Sequence, residues 1–127
     1  MVDIHCHILA HLDDGPKSWD VAEEMCRIAA ADGIEHIVAT PHANTRYEYD
    51  RKLAKAHVQD LQRRVGPRPG LSLGCDFHLS YENFQNVLLE PARYTIEGGD
   101  YLLVELRVFP CSWISASRSL EIVALRR

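Results

Sequence analysis

Short apolar runs alternate along the chain with longer stretches in which apolar positions recur every three or four residues. Met1 to His5 opens in a strand-like pattern and gives way to a turn-rich loop at Asp13-Asp14-Gly15-Pro16. Ser18 is suited to cap a helix, and Ala22, Met25, Cys26 and Ala29 then follow at helical spacing until Gly33. Ile34 to Thr40 is β-branched and mostly apolar, the pattern of a strand covered on both faces, and Pro41 ends it. A second helix is expected from about Tyr49 to Val65, with Leu53, Ala56, His57, Leu61 and Val65 as its inner stripe. The Gly66-Pro67-Arg68-Pro69-Gly70 segment closes it. Leu71–Phe77 and Tyr101–Leu106 read as a third and a fourth strand, separated by a helical turn near Phe84–Leu89 and a turn at Gly98-Gly99. Strands alternating with helices in this rhythm predict an α/β fold with a mainly parallel sheet.

Residues 111–127 break the rhythm. Ser112 to Ser119 is Ser-rich, and the closing LEIVALRR reads as one or two helical turns, with no strand expected. This divides the chain into residues 1–110 and a divergent tail, 111–127. The charge divides near the same place. The net charge is −4, but residues 107–127 carry four Arg against one Glu, so the body is the acidic part. An acidic body without a basic stripe excludes nucleic acid as an expected partner. The four cysteines are widely spaced and contain no C-x-x-C pair, which favours reduced thiols over a disulfide framework. No apolar run approaches the roughly 20 residues that span a bilayer, and no basic segment precedes an apolar one at the N-terminus. The expectation is a cytoplasmic protein without membrane insertion.

Candidate chemistry collects at the predicted strand ends. His5 and His7 are two residues apart on a strand, so both imidazoles face one side. Asp13 and Asp14 lie in the next loop, His42 follows the second strand, Asp76 ends the third and Glu105 lies near the end of the fourth. In parallel α/β sheets and barrels, functional groups converge at the carboxyl ends of strands. Imidazoles and carboxylates gathered there suit a transition metal. The spacing leaves Asp13 and Asp14 as competing loop ligands. No cysteine has an arginine six positions later, so the C-x5-R loop of thiol-based tyrosine phosphatases is absent.

The ordered motifs DIHCH, Asp13-Asp14-Gly15, ATPH ending at His42, Gly74-Cys75-Asp76 and YLLVE ending at Glu105 resemble the PHP superfamily of polymerase and histidinol phosphatase domains. Within it they are most similar to the bacterial manganese-dependent protein-tyrosine phosphatases of capsule and exopolysaccharide operons. The resemblance runs from Met1 to about Pro110. It implies the N-terminal part of a PHP-type (β/α)7 barrel, truncated here, since a full (β/α)8 barrel takes about 250 residues. It also implies metal ligands at His5, His7, Asp14, His42, Asp76 and Glu105. Two or three Mn²⁺ ions would occupy the complete site, with Fe, Zn or Mg as alternatives, and metal-bound water rather than a side chain would be the nucleophile. The implied substrate is a phosphorylated bacterial tyrosine kinase. The alternatives are a histidinol-phosphatase-like phosphomonoesterase and an inactive remnant, the latter associating into homo-oligomers through an open sheet edge. The family pattern has Glu where Asp76 stands, and its later A-H-P-E-R and D-x-H segments do not occur after Pro110.

The remaining polar residues have plainer readings. Asp3, which shares a face with His5 and His7, is expected to be a hydrogen-bond partner behind the ligands rather than a ligand, His36 to be a satisfied core histidine and His57 to pack on a helix face. His11 belongs beside the first loop. His78 shares the strand face of Asp76, with a surface role as the alternative. Arg46 and Tyr47 read as an ordinary solvated loop, with substrate contact as the alternative.

Overall fold

The computed structural model describes residues 1–107 and 118–124. In chain order the elements are β1 (Val2–Cys6), α1 (Trp19–Ala31), β2 (His36–Ala39), β3 (His42–Ala43), α2 (Arg51–Val65), β4 (Gly70–Leu73), β5 (Asp76–His78), α3 (Tyr81–Leu89), α4 (Pro91–Tyr94), a 3-10 turn at Ile96–Gly98, β6 (Tyr101–Arg107) and β7 (Arg118–Ala124). The mixed α/β architecture follows the predicted alternation.

β1-β2-β4 and β3-β5-β6-β7 form two sheets, parallel throughout except for the β6–β7 pair. Single backbone bonds carry the ladder between them. Thr40 N–H donates to Cys6 O at 2.9 Å, Gly74 N–H to Ala39 O at 2.8 Å and Asp76 N–H to Pro41 O at 3.0 Å. With β2 and β3 taken as one broken strand and β4 and β5 as another, the result is one bent wall in which each parallel strand lies beside its predecessor in sequence. The expected strand over Leu71–Phe77 is therefore two short strands meeting at Gly74-Cys75. Pro41 makes the matching break between β2 and β3, because it has no N–H to continue a ladder. At Gly74 a Cβ would lie 3.2 Å from Val38 and Ile96 side-chain carbons, so the bend packs closely only with glycine there.

The helices form where their caps and apolar stripes dictate. Ser18 Oγ accepts from Val21 N–H, and α1 buries Ala22 and Cys26. Asp50 caps α2 by accepting from Lys52 and Leu53 N–H at 2.8 and 3.1 Å, and Gly66, with φ at 79°, ends it. The inner stripe of α2 is Ala54, Val58 and Leu61, with Val65 partly buried. Leu53 is 48% exposed and Ala56 is also exposed, so the expected stripe is corrected by one position. Starting the helix at Asp50 sets its phase, and the small Ala54 lets the backbone approach the sheet. The turn expected near Phe84–Leu89 is a nine-residue helix, capped by Ser80 Oγ accepting from Asn83 N–H at 3.2 Å. Ile37, Ala39, Leu73 and Phe77 of the wall pack with Cys26, Val58 and Leu61 of α1 and α2 in the core.

The tail holds the largest departure. Arg118–Ala124 is a strand, antiparallel to β6 in the register Tyr101↔Ala124 to Arg107↔Arg118, where helical turns were expected. A strand edge with unpaired donors and acceptors is a template for further pairing, and this long-range opportunity outweighs a weak local helix preference. Cys111 and the Ser-rich stretch 112–117 lie outside the described residues. No described helix is long and apolar enough to cross a membrane.

Candidate metal centre

All six implied ligand residues meet at the carboxyl ends of the parallel strands. β1 and the turn after it supply His5 and His7, which are followed by Ile8, Leu9 and Ala10, each at most 1% exposed. That buried run anchors the loop bearing Asp13 and Asp14. Gly15 is required beside it, because a Cβ there would stand 2.6 Å from His7 O. Asp76 is held from both sides. Cys75 Sγ contacts Tyr94 O at 3.2 Å, and Phe77 meets the Tyr94 ring edge-on at 5.3 Å. Strand alternation then points Asp76 the other way, toward the histidines.

The ligand atoms form three overlapping groups, each within 4.8 Å: His5, His7 and Asp76; His7, Asp14 and His42; His42, Asp76 and Glu105. Asp76 Oδ2 lies 3.8 Å from Nε2 of both His5 and His7 and 2.9 Å from His42 Nδ1. Asp14 Oδ1 is 3.3 Å from His42 Nε2. The imidazoles of His5 and His7 meet at 3.1 Å through their Nε2 atoms. Asp76, Glu105 and His42 are only 2%, 6% and 7% exposed, whereas Asp14 is exposed.

The donor set fits a cation. His42 Nδ1 and Asp76 Oδ1 are buried yet have no hydrogen-bond partner among the described residues. The 2.9 Å approach of His42 Nδ1 to Asp76 Oδ2 lacks the angles of a hydrogen bond, so it leaves Nδ1 unsatisfied. Buried polar atoms left in this state cost free energy unless something polar occupies the space between them. Imidazole nitrogens and carboxylate oxygens are the donors of Mn, Fe and Zn sites.

Asp13 has a separate part. Its Oδ2 lies 2.8 Å from His7 Nδ1 and accepts from His42 N–H at 3.1 Å, while Oδ1 accepts from Gly15 N–H at 2.9 Å. Burial alone would push the Asp13 carboxyl up, but the His7 bond and the two backbone donors hold it below the usual carboxylate range. Burial likewise opposes charge on His7, yet the Asp13 bond and the charges of Asp13, Asp76 and Asp14 raise its pKa above the ordinary value. For Asp76, burial is outweighed by His5, His42 and His7, and the carboxyl is lowered. With Asp13 at Nδ1, Nε2 is the nitrogen of His7 that would face an ion.

Asp3 Oδ1 accepts from the backbone N–H of His5 at 3.1 Å, a hydrogen-bond partner of a candidate ligand residue. His78 does approach the site, with Nδ1 3.8 Å from Glu105 Oε2. His36 Nε2 is 2.9 Å from Ser72 Oγ, and His57 pairs with Ala10 O at 3.1 Å beside Trp19, as packing residues do. Arg46 and Tyr47 are not in a detached loop. With Asp14, His42, His78 and Glu105 they line a cleft of about 180 Å³. The described thiols are poor nucleophiles. Burial pushes Cys6 and Cys26 up to about 11, and Cys75 is raised further.

Known proteins resemble this chain in sequence and in fold. The family described as capsular polysaccharide synthesis, CpsB/CapC, matches residues 1–117. A putative tyrosine-protein phosphatase CapC from Staphylococcus aureus is 44% identical over 111 residues, covering 83% of this chain and 42% of its own length. Tyrosine-protein phosphatase CpsB from Streptococcus pneumoniae is 26% identical over 109 residues, 83% of this chain and 44% of that protein. Crystallographic work on YwqE from Bacillus subtilis and CpsB from Streptococcus pneumoniae, described as unique metal-dependent tyrosine phosphatases, includes a chain that superimposes with a TM-score of 0.64 at 30% identity. The match covers 82% of this chain and 43% of that one. The chain thus spans less than half the length of these relatives. Matched over residues 1–117, and carrying the strand-end motifs in order, the chain belongs to the CpsB/CapC family of capsular polysaccharide synthesis.

Proposed function

We propose that the protein carries the greater part of the metal centre of a metal-dependent protein-tyrosine phosphatase, which converts phosphotyrosine and water to tyrosine and phosphate. The observation that carries this reading is the convergence of His5, His7, Asp14, His42, Asp76 and Glu105 in three overlapping groups around two unsatisfied buried atoms. His5, His7, Asp14, His42, Asp76 and Glu105 are the residues that would hold the ions, with Mn²⁺ first among Mn, Fe and Zn for this donor set. Such ions supply Lewis acidity and make water acidic enough to deprotonate near neutral pH.

The chain's own residues do the rest. Asp13 fixes the ring orientation of His7 through Nδ1 and ties the loop to His42 N–H. His42 and Asp76, both buried, keep bulk water from the inner side of the site. Asp14, on the exposed side, borders the cleft by which a phosphoryl group would enter. No thiol is needed, in keeping with the raised pKa values of Cys6, Cys26 and Cys75.

The names of the relatives support a phosphotyrosyl protein as substrate, and a bacterial tyrosine kinase of capsule or exopolysaccharide synthesis is the partner we infer. Residues 1–110 are then the first strands of a (β/α)7 barrel of PHP type. The consecutive order of the parallel strands supports that architecture over a doubly wound sheet, in which the order reverses. A cytoplasmic location would follow from such a partner.

The test is hydrolysis of a phosphotyrosine peptide with Mn²⁺ or with EDTA, by this chain and by a protein extended to the relatives' length. Turnover that requires Mn²⁺ and is lost in His42→Ala is the expected result. Turnover indifferent to EDTA, or a preference for histidinol phosphate over the peptide, would contradict the proposal.

A further inference from the structure

The loop after β3 holds an ordered stack at the edge of the cleft. Asn44 Oδ1 accepts from the N–H groups of both Arg46 and Tyr47 at 2.9 Å, and Asn44 N–H donates to Tyr47 O at 3.2 Å. Asn83 Nδ2, from α3, donates to Ala43 O at 2.8 Å and ties the start of the loop down. So held, the Tyr47 ring lies parallel to His42, with an interplanar angle of 9° and centroids 5.6 Å apart. The Arg46 guanidinium lies 5.1 Å from the centre of the Tyr47 ring. Arg46 is exposed, and no carboxylate among the described residues is within ion-pair distance of it.

Asp14 and Glu105 of this cleft are candidate ion ligands, and Arg46 is the one permanently positive side chain among the described lining residues. Ions held by those carboxylates would face the phosphoryl oxygens on one side and leave the others to be met from the loop. A guanidinium offers planar paired donors that match phosphoryl oxygens.

We propose that Arg46 is a phosphoryl-recognition residue of this cleft and that Tyr47 is the positioning residue that holds it there. The proposal rests on the phosphoesterase reading above and adds to it the group that meets the non-reacting phosphoryl oxygens. Tyr47 contributes its ring face, not its hydroxyl.

The experiment is orthophosphate binding to the Mn²⁺-loaded chain, measured by calorimetry at fixed ionic strength, with bound manganese counted in every variant. Arg46→Gln should bind phosphate about tenfold more weakly, as expected for losing one exposed charge-assisted contact. Arg46→Lys should fall between the two, because an ammonium keeps the charge without the fork. Tyr47→Phe should match the wild type, while Tyr47→Leu should lose affinity, and all four should retain wild-type manganese content. Phosphate affinity in Arg46→Gln within twofold of the wild type would overturn the proposal alone. So would a loss matched by lost manganese, which would mark Arg46 as structural. Tyr47→Leu binding like the wild type would overturn the positioning role. No phosphate binding by the wild type would overturn both this proposal and the phosphoesterase reading.

Discussion

Asp13 bonds His7 Nδ1 at 2.8 Å, whereas its neighbour Asp14 stands 3.9 Å from that atom and 3.3 Å from His42 Nε2. One carboxylate orients an imidazole and the other faces the cleft. Asp13→Asn should therefore leave the implied ligands in place and weaken metal affinity by about 10–100-fold, the range for groups that orient a ligand. An unchanged affinity in a Mn²⁺ competition titration would show that Asp13 does not hold His7. The cysteines give a second check at this scale. With Cys6 and Cys26 pushed up to about 11, almost no thiolate exists at pH 8. Iodoacetamide should leave Mn²⁺-dependent turnover intact, and inactivation at a rate typical of a catalytic thiol would contradict a mechanism without one. The sequence showed where the six side chains gather, because strand ends and residue types are both local signals. It left Asp13 and Asp14 interchangeable, since their difference lies in a turn closed by the Gly15 and His42 amides. The Tyr47 stack was hidden for the same reason, as it depends on the hydrogen bonds of Asn44 and Asn83.

At the scale of elements, caps and breaks decide position more than propensity does. The phase of α2 is fixed by Asp50, so Ala54, Val58 and Leu61 face the sheet and Leu53 faces water. Leu61→Ala should cost about 2–5 kcal/mol by leaving a cavity. Leu53→Ala should stay within about 0.5 kcal/mol. Urea unfolding of the two variants measures the difference, and equal losses would mean the stripe is misplaced. Apolar periodicity located this helix, but a one-residue shift between Leu53 and Ala54 leaves the periodicity nearly unchanged. The bend at Gly74 divides what read as one strand, and beyond Pro41, where the second strand was expected to end, a further short strand follows. Both breaks matter for the site, because the ladder resumes beyond them at His42 and Asp76. β7 escaped the sequence reading altogether, since a strand that forms by pairing with β6 has its cause in residues 11 to 23 positions away in the chain.

For the whole molecule, the acidic body and the candidate metal centre coincide. Asp13, Asp14, Asp76 and Glu105 gather four carboxyl groups around three imidazoles, a donor set that would suit a cation. A ligand that binds only the folded chain stabilises it by mass action, by about 2.7 kcal/mol at one hundred times its dissociation constant. Saturating Mn²⁺ should accordingly raise the thermal midpoint by several degrees, an effect EDTA reverses. The same fold leaves β1 at an edge among the described residues, with Val2 57% and Ile4 40% exposed, and β7 laid against the opposite edge. The most direct test of the metal centre is calorimetric titration of Mn²⁺ into the wild-type chain and into Asp76→Asn, whose carboxylate serves two of the three ligand groups. Saturable binding of more than one ion by the wild type, with collapse of both affinity and stoichiometry in Asp76→Asn, is the predicted result. No saturable binding, or identical isotherms for the two proteins, would contradict it.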